Sequence, residues 1–331
     1  PFYEYWWLYI GFVVFLLLVL GIDLGVFHRK AHEVGYREAL TWTVVWVTLA
    51  MIFNVLLYYF CLWEFRNNDR LMSVPGFDPH LSARQSALEF LAGYIVEYSL
   101  SVDNVFVFVV IFKYFDVAPK YQHRILFYGV LGAVFFRALF IALGSLLMAL
   151  SWFVFVMGLF LILTGLKIVF MENHDPDPEK NWVIRLLKKF LPITHTVEGP
   201  NFFVKHKGIL YGTPLLVCLV FIEVTDIVFA IDSVPAIFAI TREPMIVFTS
   251  NLFAIMGLRT MYFLLGGIMD QFRFLKYGLG AVLVFVGMKM TFLNHLFGGH
   301  FPIVWSLAFI VTAIGLSILL SWLIKEKHAE K

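Results

Sequence analysis

EYSLSVDN, residues 97–104, stands between ALEFLAGYIV and VFVFVVIF, two runs of mostly apolar residues. The segment around it, roughly 86–112, is long enough to cross a bilayer, which takes about 20 predominantly apolar residues. Yet it carries two carboxylates, Glu97 and Asp103, with Asn104 beside the second. An ionised Asp at the middle of a span costs about 2.5–3.5 kcal/mol on insertion scales, so acids there are paired, protonated or bound to a cation, and they mark function by default.

The rest of the chain has the same oily character. It is 61% hydrophobic and 18% aromatic, with a mean hydropathy of +0.84. Soluble domains are about 45–50% apolar, so the chain reads as an all-α polytopic membrane protein. A net charge of +2 and the absence of any nucleic-acid-binding motif argue against DNA or RNA as partner. The two cysteines, Cys61 and Cys218, form no CxxC, which argues against a redox pair or a thiolate metal site.

Nine spans are expected, at roughly 6–27, 38–62, 86–112, 124–149, 151–171, 209–240, 244–269, 274–294 and 302–324. With the N-terminus outside, the inner segments carry seventeen Lys and Arg and the outer segments four. This bias sets the orientation in the lipid bilayer as N-out and C-in. In the long inner loop, NWVIRLLKKFLPI places Trp182, Leu186, Leu187 and Phe190 opposite Arg185, Lys188 and Lys189, the pattern of a helix lying on the membrane surface. Upstream, MENHDPDPEK reads as a solvated acidic loop in preference to a regulatory metal site.

The opening motif has a second copy. EYSLSVDNV (97–105) aligns with DIVFAIDSV (226–234), so that Glu97 falls on Asp226, Asp103 on Asp232 and Asn104 on Ser233. Downstream, Arg137 falls on Arg259, Gly144 on Gly266, Gly158 on Gly280, Gly165 on Gly287, Lys167 on Lys289 and Phe170 on Phe292. Each copy holds three spans, and an odd number inverts the second relative to the first. The expected organisation is two N-terminal helices in 1–85, a first three-helix repeat in 86–171 and a cytoplasmic loop in 172–208. A second repeat in 209–294 follows, then a final helix and tail in 295–331. Inverted repeats around polar midplane sites are the architecture of secondary transporters.

The buried charges define the chemistry. Glu97, Asp103, Asp226 and Asp232, with Glu223 one turn before Asp226, are five carboxylates, and Arg137 and Arg259 are their guanidinium partners. A surplus of three negative charges calls for a cation or for protons. Lys167 and Lys289 lie near span ends and are expected to snorkel to the interface. In a regular helix Glu97 and Asn104 share a face, as do Asp226 and Ser233, while Asp103 and Asp232 point elsewhere. Gathering all of them requires a helix break, which Pro235 is expected to make beside Asp232. The ligands are all oxygen, suited to Mn²⁺, Mg²⁺ or Ca²⁺. Asp23, Asn54 and Asn251 are accessory candidates, each equally readable as an interhelical hydrogen bond.

These residues resemble a known family. EYSLSVDNVFVF, FIEVTDIVFAIDSVPAIFAIT and TSNLFAIMGLRTMYFLLGG, with DLGVFHRKAHEV and TWTVVWVTLAMIFN nearer the start, resemble the signatures of the TerC family and its Alx-like branch. That family is similar to the wider LysE-type exporters. The resemblance implies metal-site roles for Glu97, Asp103, Asp226 and Asp232, and Mn²⁺ as the exported ion. Metal/proton exchange is the expected coupling. Three other functions stand beside it: export of a different solute such as an amino acid, a non-transporting partner delivering metal to exported enzymes or translocation machinery, and an intramembrane aspartyl protease. The anionic ligand set disfavours the first. The contexts SVDN and AIDS, which lack the Gly-rich GxGD of such proteases, disfavour the last.

Overall fold

The computed structural model describes residues 6–22, 35–148, 150–170, 189, 191–194, 199–206, 209–265, 274–297 and 301–324. Among these residues, eight helices are long and apolar enough to cross a membrane. They are α2 (Tyr36–Asn67), α4 (Pro79–Tyr114), α5 (Pro119–Leu147), α6 (Ser151–Phe170), α7 (Pro214–Phe238), α8 (Pro244–Leu265), α9 (Leu275–Met288), which runs on through a π turn at Lys289–Leu293, and α11 (Ile303–Leu323). The first expected span appears as α1 (Trp6–Ile22), a helix of 17 residues, and its continuation lies outside the described residues. Two short helices, α3 (Asp69–Met72) and α10 (Asn294–Leu296), complete the set. The acidic 172–179 segment and most of the expected surface helix also lie outside the described residues.

Local chemistry starts these helices. The Asp78 carboxylate accepts the His80 and Leu81 N–H groups at 2.8 and 3.3 Å and so caps α4. Prolines open α5 and α7, where a missing N–H has no intrahelical partner to lose. Between α4 and α5 the chain reverses through Asp116, whose φ of 46° is a left-handed conformation that Asp adopts more readily than most residues.

Two expectations need correction. The sixth span was expected to begin at 209, but Ile209–Gly212 pairs antiparallel with Phe203–His206 as a hairpin, β2 with β1, and α7 begins at Pro214. The two runs satisfy each other's backbone groups, so this apolar stretch has no need of helix. The expected break at Asp232 is also absent, because α7 continues through Pro235 to Phe238. Pro235 lies in the last turn, where its missing N–H removes one bond and leaves the upstream ladder whole. The first copy is likewise regular across Asp103.

Packing puts α8 at the centre, where it is buried over nearly its whole length, whereas α2 presents most of its surface outward. The helices associate in a reciprocal pattern: α4 packs on α8 and α5 on α7, while α4 also meets α7, α5 meets α8, and α6 meets α9. The last contact is a close one. A Cβ on Gly165 would stand 2.7 Å from the Gly280 carbonyl oxygen, and one on Gly158 would stand 3.0 Å from that of Gly287. Only glycine permits such an approach. The pairing 158 with 287 and 165 with 280 makes the two helices antiparallel. Outside this core, α2 covers α4 and α8, and α11 covers α9 and α4.

Candidate cation site

The middle of α4 carries Glu97, Ser101 and Asn104 at spacings of four and three, which place them on one helical face. All three are buried. The middle of α7 carries Asp226 and Ser233, also buried. Between the two helices enters Arg137 from α5, with no exposed surface at all. Its Nη1 donates to Glu97 Oε1 and to Ser233 Oγ, the latter at 3.0 Å. Its Nη2 donates to Asp226 Oδ1 at 3.5 Å. One guanidinium thus joins both copies of the acid motif, and its planar fork suits this shared role better than a Lys ammonium would.

One positive charge faces two carboxylates here, and the pairing leaves atoms over. Among the described residues, Glu97 Oε2, Asp226 Oδ2 and Ser101 Oγ are buried with no hydrogen-bond partner, as is Arg137 Nε. Buried polar groups are satisfied in the great majority of cases, so a cluster of orphans implies an ion or water that completes it. Oxygen atoms of carboxylates and a hydroxyl are hard ligands. The Asp226 side also borders a small cavity lined by Gly129, Ala133, Ile222 and Arg259, with room for roughly one water.

Glu223 extends the anionic side. It sits one turn before Asp226, close enough to feel its charge. Its carboxylate lies over Gly132 of α5, in the space that a Cβ at 132 would fill, and its Oε2 has no hydrogen-bond partner among the described residues. The backbone of Asp103 and Asp232 continues α4 and α7, but their side chains are not among those described. Among the described residues, no three His, Cys, Asp or Glu side chains converge closely enough to hold a metal.

The remaining candidates separate. Arg259 is buried on α8 and shares the small cavity with Asp226. Asn251 is fully buried, and neither of its amide atoms has a hydrogen-bond partner among the described residues. Asn54 is half-buried on α2, its carbonyl oxygen likewise without one. Among the described residues, the Arg137 hydrogen bonds go to Glu97, Ser233 and Asp226 and include neither amide. Asp23 lies outside the described residues. Lys167 is exposed, as snorkelling requires, but Lys289 is buried with 4% exposure, which corrects the expectation for that residue. The reason is its neighbourhood: α9 is enclosed by α6, α4 and α11. Sequence reasoning missed Gly132, Glu89 and Thr241. Of these, Glu89 had a readable signal, since it is an acid at the mouth of a span.

The comparisons agree with this architecture. The family model described as Integral membrane protein TerC family matches residues 82–329. An uncharacterized membrane protein of Myxococcus xanthus is 44% identical over 323 residues, covering 97% of this chain and 93% of its own. A protein of Salmonella typhi, provisionally named membrane-bound redox modulator Alx, is 40% identical over 97% of this chain and 95% of its own. Its namesake in Escherichia coli K12 is 39% identical over 96% of this chain and 95% of its own. No solved structure matches the chain.

Proposed function

The chain belongs to the TerC family of integral membrane proteins, and on that premise we propose that it is a secondary transporter exporting a divalent cation, with Mn²⁺ as the ion, across a bacterial inner membrane. The observation that carries this reading is the Glu97–Arg137–Asp226 cluster, in which buried carboxylates outnumber the guanidinium that joins them and keep oxygen atoms without a partner among the described residues. A structural ion-pair network tends to neutrality. A surplus of buried anion is stable when a cation or protons complete it.

The packing of the helices supports alternating access. The reciprocal packing of α4–α6 on α7–α9 supports two inverted three-helix repeats that rock about the shared site. The charge bias of the loops supports an N-out, C-in orientation. Glu97, Ser101, Asn104, Arg137, Asp226 and Ser233 are nearly inaccessible, which fits an occluded state between the two openings. Metal and protons compete for the same carboxylate oxygens, so protons can refill the site when the ion leaves. Export driven by an inward proton gradient follows.

The test is Mn²⁺ flux in proteoliposomes of the purified chain, with and without an imposed pH gradient, paired with Mn²⁺ binding between about pH 6 and 8.5, the range in which carboxylate ligands and protons exchange places. Binding is expected to weaken as pH falls, and flux to follow the gradient. Mn²⁺ binding without flux would make the protein a metal-delivering partner. Absence of both would return the site to a transporter of another solute.

A further inference from the structure

Glu97, Arg137 and Asp226 come from α4, α5 and α7, and α8 packs against all three of these helices. Near its middle α8 carries Asn251, which has no exposed surface. Among the described residues neither its Oδ1 nor its Nδ2 has a hydrogen-bond partner. An amide brings an acceptor oxygen and two N–H donors, and buried groups of this kind are met in the great majority of cases. The interhelical hydrogen bond that would make Asn251 a structural residue is not found among the described residues, so the amide calls for a partner that is not a side chain of the bundle.

Helical spacing fixes where the amide points. Asn251, Leu258 and Tyr262 follow one another at seven and four residues and share a face of α8. Leu258 lines the small cavity together with Leu126 and Gly129 of α5 and Asp226 of α7. Tyr262 donates its hydroxyl to Gln122 Oε1 of α5 at 2.9 Å. The face that carries Asn251 is therefore turned towards α5 and α7, where the charged cluster lies. Its depth follows from two contacts. A Cβ on Gly93 would stand 2.9 Å from Ser250 Oγ, which sets Asn251 level with Tyr94, one turn of α4 from Glu97. On α5, which runs antiparallel to α8, the same eleven-residue step that leads from Tyr262 to Asn251 leads from Gln122 to Ala133, one turn before Arg137. Long side chains on a helix lean towards its N-terminus, which brings the Arg137 guanidinium to this depth.

We propose that Asn251 is a further ligand of the transported cation, its Oδ1 completing from α8 the oxygen set that Glu97 Oε2 and Asp226 Oδ2 open from α4 and α7. The inference rests on the cation-export reading of that site. A neutral amide oxygen suits hard divalent ions, and it adds a ligand without adding negative charge to a cluster that already has a surplus. It also keeps the set free of sulfur, so Asn251 helps the site to discriminate against soft ions.

The test uses the full chain in detergent, with Mn²⁺ and Cd²⁺ as probes. Asn251→Leu removes the amide at similar volume. An unmet buried amide is unfavourable, so the metal-free variant is expected to unfold at or above the native temperature. It is nevertheless expected to bind Mn²⁺ at least about tenfold more weakly, the loss that removing even an outer partner of a metal brings. Asn251→Asp keeps an oxygen in place and is expected to hold Mn²⁺ at or above the native affinity. Asn251→Cys offers a thiolate instead and is expected to give a sulfur-to-cadmium charge-transfer absorption with Cd²⁺. The native chain and Ser250→Cys should lack it, because Ser250 faces Gly93 on another side of α8. Native Mn²⁺ affinity in Asn251→Leu, or Asn251→Cys without the absorption, overturns the proposal and leaves the central site standing. If Asn251→Leu does not yield folded protein, the Cd²⁺ absorption of Asn251→Cys decides. A native chain that binds no Mn²⁺ refutes the central site, and the role of Asn251 falls with it.

Discussion

The two three-helix segments, α4–α6 and α7–α9, carry matching residues that the fold treats differently. Arg137 and Arg259 match and are both buried, but Arg137 bridges Glu97, Ser233 and Asp226 while Arg259 borders a small cavity beside Asp226. Lys167 and Lys289 match, and one is exposed while the other is buried. Gly132 matches Ala254: the glycine holds a carboxylate of the other segment against its backbone, and the alanine is buried in the core. The difference is imposed from outside the segments. α11 packs on α9, and α2 packs on α4 and α8, so two additional helices make one sequence pattern into two environments. A duplicated pattern therefore does not imply duplicated roles.

The sharpest way to break this comparison is to neutralise the matched acids whose side chains the structure does not describe. Asp103→Asn and Asp232→Asn each remove one anionic group with little change in volume. Both are expected to reduce Mn²⁺ flux in proteoliposomes to background while the protein still inserts. Near-normal flux in one variant would remove that residue from the site and make the segments unequal in transport as well.

The arginines come next. Arg137→Gln leaves Glu97 and Asp226 buried without their shared cation, and breaking a buried pair in this way costs about 3–5 kcal/mol. Thermal unfolding in detergent is expected to show a larger loss for Arg137→Gln than for Arg259→Gln. Equal losses would mean that the two guanidinium groups carry the same load.

A smaller effect is expected at Gly132. Its Cβ would overlap the Glu223 carboxylate, and overpacking of this kind costs about 1–3 kcal/mol. Gly132→Ala is expected to lower the unfolding temperature, and Glu223→Ala to restore it in the double variant. If the double variant is no more stable than the single, the contact between them is not the cause.

Smallest of all is Lys167→Met, at an exposed position where substitutions stay within about 0.5 kcal/mol. Lys289→Met should change stability more, because it removes a charge enclosed within the bundle. Unfolding temperatures that shift alike would show that burial of Lys289 has no energetic consequence.

Much of this was legible in the chain. The helices were, because apolar runs of bilayer length have few alternatives in lipid. A carboxylate in such a run is conspicuous, so Glu97 and Asp226 stand out in the sequence too, but charge alone offers Arg137 and Arg259 equally as partners and does not say which one bridges those two acids. Pro235 misled: its effect depends on how much helix follows it, and α7 ends within the same turn. The β1–β2 hairpin was hidden because Ile209–Gly212 is as apolar as the span it precedes. Glu89 passed unnoticed as the start of a span, since its partner Thr241 is 152 residues away in the sequence.

By itself the sequence determined that this chain crosses a membrane repeatedly and keeps more carboxylate than guanidinium within the spans. Both conclusions are counts, and a count does not depend on where the helices meet. Tertiary structure decided the rest: that one guanidinium joins the acids of two helices, that Gly132 makes room for Glu223, and that Lys289 is enclosed while Lys167 is not. Those outcomes depend on which faces pack. For a side chain in lipid, the neighbouring helix decides whether it meets hydrocarbon, the headgroups or an opposite charge.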